Sequence, residues 1–318
     1  GSAAVAAMAV CVAATARADD EAGGLIDWRI SQSTDRTPAG FVKLHLRRLH
    51  AGGGQMNHSD MYPLEDLAGL TPAALSAAGQ SDVAFDFARE AGRLACEGRA
   101  GDGEGYGVCT FTENRAFADR LVASGLERPD QSEALLLTIL DARIALLDDI
   151  AAADYGRPED LGEFIALNIH DVDGAFIREM AAIGVKADDL GELIAFRIHD
   201  VSPEFVRSIR AIGPGFANAD SDDLVAFSIH GVTPERAAEF AALGYPGLGP
   251  DDLVAFQIHG VTPAFIREMR ELGFAPDEEE LVAFRIHRVS PQFVREMRAL
   301  GLDDLAADDL VAFRIHGV

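Results

Sequence analysis

Six of the nine histidines in this 318-residue chain stand in one register: His170, His199, His230, His259, His287 and His316. Each closes a phrase of the type Leu-Val-Ala-Phe-x-Ile-His-Gly-Val, at intervals of 29, 31, 29, 28 and 29 residues. A row of imidazoles could bind metal, relay protons or form a repeated joint. Two nitrogens sharing a zinc ion must each approach it to about 2.0–2.1 Å. Equivalent residues on neighbouring helices stand about 8–10 Å apart. The region has no cysteine, and no carboxylate keeps a fixed place directly beside the imidazole. Asp171 and Asp200 follow His170 and His199, but Gly or Arg takes that place in later copies. The spacing therefore predicts a structural ladder without metal. Each His ends a short helix whose last carbonyls lack partners, where a ring can donate one hydrogen bond and accept another.

The remaining candidates for chemistry are weaker. His45, His50 and His58 lack zinc-site spacing, and the chain contains neither His-Glu-x-x-His nor Gly-x-Ser-x-Gly. The glycine-rich stretches at 51–55 and 101–107 match neither a phosphate loop nor a dinucleotide fingerprint. Asp86 with Glu97 is one of many acidic pairings in a chain with 52 Asp and Glu. No catalytic residue and no cofactor is expected.

The elements that place the histidines read as paired helices from about residue 114 to 318, an α-solenoid. Each first helix is Asp-Asp followed by an apolar run, with the acidic pair read as its N-cap. The run is apolar nearly all round, as for a helix packed on both sides. Each second helix begins at Ser or Thr followed by Pro, as in Thr262-Pro263, and closes on a glycine: Gly184, Gly213, Gly244, Gly273 or Gly301. Each His falls 14 residues before that glycine. Carried upstream, the same offset places Ala142 in the His position before Gly156 and ends a second helix at Gly125. The array stops half-way through a unit on an apolar first helix, which fits a cut array better than a capped one.

Variation on a fixed frame is where a repeat protein chooses a partner. Two places before each His stand Asn168, Arg197, Ser228, Gln257, Arg285 and Arg314, and the second helices carry Arg178, Arg207, Arg267 and Arg295 outward. Arg197, Gln257, Arg285 and Arg314, with those four second-helix arginines, are the candidate partner-binding residues. An ordinary solvated face is the alternative.

Residues 19–113 read as a β-rich head. Residues 25–31, 41–49 and 82–89 alternate apolar and polar, as do the two cysteine-bearing segments, giving five strands of an antiparallel sheet. Opposing Cys96 to Cys109 also opposes Leu94 to Phe111 on one apolar face, so the cysteines fit a disulfide or two buried thiols. Residues 1–18 read as a signal-peptide remnant: an uncharged small-residue run ends in Ala16-Arg17-Ala18, with Gly1-Ser2 where a basic region belongs. Cys11 would leave with it. A bilayer-spanning helix is the alternative, but the run is short and lacks bulky apolar residues. The formal charge of −25 argues against nucleic acid or an anionic membrane as partner and favours basic partners.

The repeat phrase "DLVAFRIHGVTPEFVREMRALG" resembles short helical repeats of bacterial envelope proteins, including tails of membrane metallopeptidases of the beta-lactam-sensor type. Residues 91–111 are similar to a segment upstream of such repeats, so the likeness spans about residues 82–318. It implies an interaction or sensing module, and with no peptidase motif here no catalytic residue carries over. The chain is thus expected to be α+β, a non-enzymatic periplasmic or secreted scaffold binding a protein, with no membrane span in its mature form. The rival is an enzyme or small-ligand binder with a pocket in the head near Trp28, Tyr106 and the glycine loops.

Overall fold

The computed structural model describes residues 25–32, 38–49, 55–302 and 304–317. The leader reading, Cys11 and His50 lie outside them. The fold is α+β: an N-terminal antiparallel sheet followed by a helical region. Two compact units result, Gly1–Leu147 with Pro158–Ile169 and Asp148–Arg157 with His170–Val318. No helix among the described residues is long and apolar enough to cross a membrane.

The sheet of the first unit comprises β1 (Ile26–Ser31), β2 (Phe41–Leu49), β3 (Gln55–Pro63), β4 (Leu67–Ala68), β5 (Ser81–Ala88), β6 (Gly92–Gly101) and β7 (Glu104–Glu113). Their order is β3-β2-β1-β7-β6-β5-β4, with every pairing antiparallel. The five strands expected from alternation are present. The sequence reading missed β3 and β4. β3 pairs only with β2, and its Asn57, Ser59 and Asp60 are exposed, so no alternating apolar face marks it. Between β4 and β5, Thr71 caps α1 (Pro72–Ser76) by accepting the Ala74 N–H at 3.1 Å.

Trp28 organises the inner face of this sheet. Its indole is 1% exposed, stands edge-on to Phe85 at 5.0 Å, and donates from Nε1 to the Glu97 carbonyl at 3.1 Å. Glu97 lies two strands away on β6, so the ring must cross β7. It crosses at Gly105 and Gly107 and ends on Gly98. A Cβ at Gly107 would stand 2.1 Å from the Glu97 oxygen and 2.8 Å from the indole nitrogen. Gly98 and Gly105 crowd the ring in the same way. These glycines make room for a tryptophan. Cys96 and Cys109 face each other across β6 and β7 and are disulfide-bonded, and Leu94 faces Phe111.

The helices that follow are α2 (Arg115–Ala123), α3 (Gln131–Ile139), α4 (Ala145–Ala152), α5 (Leu161–Ile169), α6 (Gly174–Ala182), α7 (Leu190–Ile198) and α8 (Pro203–Arg210). They continue through α9 (Ser221–His230), α10 (Pro234–Ala242), α11 (Pro250–His259), α12 (Pro263–Glu271), α13 (Glu278–Ile286), α14 (Pro291–Ala299) and α15 (Ala307–His316). Within the first unit, Leu135 and Ile139 of α3 join the core of the sheet. Within the second, first helices stack on first helices (α7, α9, α11, α13, α15), and second helices likewise pack on second helices, α6 on α8 and α12 on α14.

Sequence chemistry sets the ends of each pair. Ser202, Thr233, Thr262 and Ser290 cap the second helices, each with Pro in the first turn. The acidic pair supplies the N-cap as expected in α7, through Asp189, and in later copies works one step further in. In α9 the N-cap is Asp220, and the pair fills the first turn, where Asp223 accepts the Asp220 N–H. Asp252 and Asp309 reach back in the same way to Gly249 and Ala306.

Each first helix ends on a left-handed residue directly after the His: Asp171, Asp200, Gly231, Gly260, Arg288 and Gly317, at φ between 55° and 73°. The next residue, such as Val261, then bonds back to the carbonyl of Phe256. This motif corrects the register of the degenerate copy. Asp141 (φ 54°) and Asp154 (φ 61°) are its left-handed residues, so Leu140, and not Ala142, takes the His position. The 14-residue offset holds from Leu140 to Asp154. Counting from Gly156 shifted it by two. Gly213 also departs from its siblings: its φ is 167°, because Pro214 opens a short turn over Pro214–Phe216.

At the left-handed closures a side chain carries a cost that glycine avoids. Asp200→Gly and Arg288→Gly should each stabilise the chain by about 0.5–1 kcal/mol, read as a higher urea midpoint. Gly260→Asp should lower it.

Candidate functional site

Some of the repeat residues singled out by sequence bond across successive repeats. Three of the six positions two before a His reach the main-chain carbonyl of the His one repeat earlier. Arg197 Nε donates to the His170 carbonyl at 3.3 Å, Ser228 Oγ to that of His199 at 2.5 Å, and Arg285 Nε to that of His259 at 3.2 Å. These carbonyls are the unpaired ends of first helices. The guanidinium groups also lie over an aromatic ring of the preceding second helix: Arg197 over Phe176 at 5.2 Å, Arg285 over Phe265 at 5.1 Å and Arg314 over Phe293 at 4.0 Å. One repeat replaces that Phe by Arg236, and the partner position there is the uncharged Gln257, whose buried Nε2 has no hydrogen-bond partner. Asn168 turns back to the Phe164 carbonyl of its own helix at 2.7 Å.

A parallel fastening joins the second helices. Arg210 donates to the Ile183 carbonyl at 2.5 Å and Arg298 to that of Leu272 at 2.6 Å, each one repeat earlier. Of the outward arginines, Arg178 pairs with Asp149 at 2.6 Å and Arg207 with Glu204 at 3.3 Å. Arg267 and Arg295 are exposed and make no hydrogen bond or ion pair with any described residue.

The ladder histidines are partly buried, except His316, which is exposed. Their rings make no hydrogen bond among the described residues, so the bonds expected of the imidazole fall to its own carbonyl and to the next repeat's side chain. No three His, Cys, Asp or Glu side chains among the described residues could hold a metal ion.

A different row was missed from sequence. The residue just before each His is an exposed isoleucine: Ile198, Ile229, Ile258, Ile286 and Ile315 in the second unit, with Ile169 as their sequence equivalent in the first. In the second unit these side chains are between 51% and 57% exposed, while Leu253 and Phe256 of the same helix are closed off. A helix turns 100° per residue, so Ile258 lies about 140–160° round from both. The run is therefore apolar all round without being packed all round. The available signal was this angle.

In the head, Trp28 and Tyr106 both line a groove of about 710 Å³, but their side chains lie on opposite faces of the sheet. Alternation along β7 sets Tyr106 on the outer face of the sheet, half exposed, while Trp28 fills the inner one. The outer face holds an open groove of about 820 Å³ lined by Arg29, Lys43, His45, Ser59, Glu104 and Tyr106 among others. Asp86 does not form a free acid pair with Glu97, because Arg93 binds it at 2.6 Å. A second polar cluster ties the sheet to its helix. His58 Nε2 meets the Tyr62 hydroxyl at 2.8 Å, and that hydroxyl donates to the Ile139 carbonyl at 3.4 Å. Burial, helped by the charge of Asp60, pushes the Tyr62 hydroxyl well above the usual phenol range. Burial also lowers the pKa of His58, with His45 adding to the effect and Asp60 opposing it.

No family model matches the chain, and searches of curated proteins and of solved structures find no match.

Arg285→Ala, which removes a carbonyl bond and a ring contact together, should cost about 1–2 kcal/mol in urea unfolding. Arg295→Ala should stay within about 0.5 kcal/mol. For His58, a folded pKa below the ordinary 6.5 or so means the unfolded chain binds the extra proton. Stability should therefore fall as pH drops through 6.5 towards the lowered folded value. In His58→Gln the melting temperature should lose less between pH 7 and pH 5 than in the parent chain.

Proposed function

We propose that this chain is a non-enzymatic, exported interaction module that binds another protein through its helical repeats. The observation that carries the reading is the isoleucine row. A large apolar side chain is kept at one exposed position in each first helix from α5 onward, and no described residue closes it off. Scattered exposed apolar residues are ordinary, but a contiguous row of them marks an interaction surface. The fastening residues explain why the frame is regular, and the unpaired Arg267 and Arg295 add polar contacts outside the row. Export is supported by the sequence of residues 3–18 and by the Cys96–Cys109 bond, a pairing that persists in oxidising compartments. The rival site in the head keeps open grooves beside Arg29, His45 and Tyr106, but the Trp28 ring is closed off on the inner face of the sheet.

A photo-crosslinking residue at position 258, exposed to purified envelope proteins, should capture a discrete partner. Excess parent chain should compete the capture away, and excess Ile229→Asp/Ile258→Asp chain should not. The double variant replaces exposed side chains only, so its melting temperature should match the parent. Equal competition by both chains would remove the row from the binding surface.

A further inference from the structure

We propose that the isoleucine row binds an extended, basic segment of a partner, in polyproline II conformation, with apolar and basic side chains recurring every three residues. This rests on the interaction reading above and names the occupant of that surface.

Two rows run across the stacked first helices of the second unit. Seven residues before each of the last four isoleucines stands an exposed acid: Asp222 before Ile229, Asp251 before Ile258, Glu279 before Ile286 and Asp308 before Ile315. Seven residues turn a helix by 700°, within 20° of two full turns, and advance about 10.5 Å. Acid and isoleucine therefore share one face, about 10 Å apart. Between them lie the partly buried pairs Val225 and Ala226, Val254 and Ala255, Val282 and Ala283, and Val311 and Ala312. The result is a shallow track, apolar along one side and anionic along the other. None of the four acids forms an ion pair or a side-chain hydrogen bond with a described residue, and acids outnumber bases two to one between residues 170 and 318. A cationic occupant would relieve repulsion that the chain itself leaves uncompensated.

Pitch selects the backbone of the occupant. The rungs repeat at the helix-packing distance of about 8–10 Å. Polyproline II rises about 3.1 Å per residue with three residues per turn, so like side chains recur every 9.3 Å or so along one edge. One residue of each triplet then meets an isoleucine, the next an acid, and the third faces solvent. A β-strand advances about 10 Å in three residues but turns the third to its opposite face. A helix needs about six residues to cover that distance and returns on the wrong side. A second copy of this chain would match the pitch but would bring its own acidic row.

The test uses the full chain and the synthetic peptide (Leu-Arg-Pro)5, about 45 Å long in this conformation, by fluorescence anisotropy at 0.15 M salt. It should bind at least about tenfold more tightly than (Leu-Glu-Pro)5, (Ser-Arg-Pro)5 or the two-residue repeat (Leu-Arg)7, a difference of about 1.4 kcal/mol. Binding should weaken to a similar degree in Ile229→Asp/Ile258→Asp and in Asp251→Asn/Glu279→Gln. Equal binding of (Ser-Arg-Pro)5 would reduce the effect to charge alone, and equal binding of (Leu-Arg)7 would remove the three-residue period. Either result overturns the proposal, as would a dimer in sedimentation that Ile258→Asp dissolves. If the position-258 crosslink survives in Asp251→Asn/Glu279→Gln but is lost in the isoleucine variant, the basic occupant fails and the interaction surface stands.

Discussion

A first helix of two and a half turns leaves almost as many unpaired carbonyls at its end as it has hydrogen bonds inside, and the array depends on where those carbonyls find donors. The left-handed closure satisfies one through the next Val or Ala in the chain. A side chain from the following repeat satisfies another. The second helices use the same device through Arg210 and Arg298. No unit is complete alone. The apolar core of Leu, Phe and Val at each level supplies the burial, and the carbonyl bonds fix the register in which successive levels stack.

Much of this was legible because the repeat compares itself with itself. Period, helix starts, Ser/Thr-Pro caps and the switch from sheet to helix all follow from spacing and turn chemistry. What was not legible has physical causes. Trp28 and its glycine track are separated by some 70 residues, and only the strand order β1-β7-β6 brings them together. β3 is an edge strand with one paired neighbour and carries no alternating pattern to read. Asp154 does the work of glycine in the degenerate copy, so a count anchored on glycine slipped by two residues.

The reading of the variable polar letter shows a more general limit. Variation among repeats looks like adaptation to a partner, but Arg197, Ser228 and Arg285 vary while all three bond a carbonyl of the previous repeat. Guanidinium and hydroxyl groups are interchangeable there because a carbonyl asks only for a donor. The isoleucines were hidden for the opposite reason. Their constancy and apolarity look like core, and only the angle to Leu and Phe separates them from it.

The pairing of Arg236 with Gln257 bears on how such a chain can grow. Three first helices set an arginine over the Phe of the second helix before them, one carries Gln257 where that Phe has become Arg236, and one carries Ser228 after Phe205. A duplication with breakpoints at the glycines that close the second helices would part a guanidinium from its ring, or lay it against another cation. The segment that can be copied without penalty runs from the start of a second helix to the end of the following first helix, as from Pro263 to Ile286. The segment that keeps each ring with its guanidinium is therefore offset by half a period from a first-helix-then-second-helix unit.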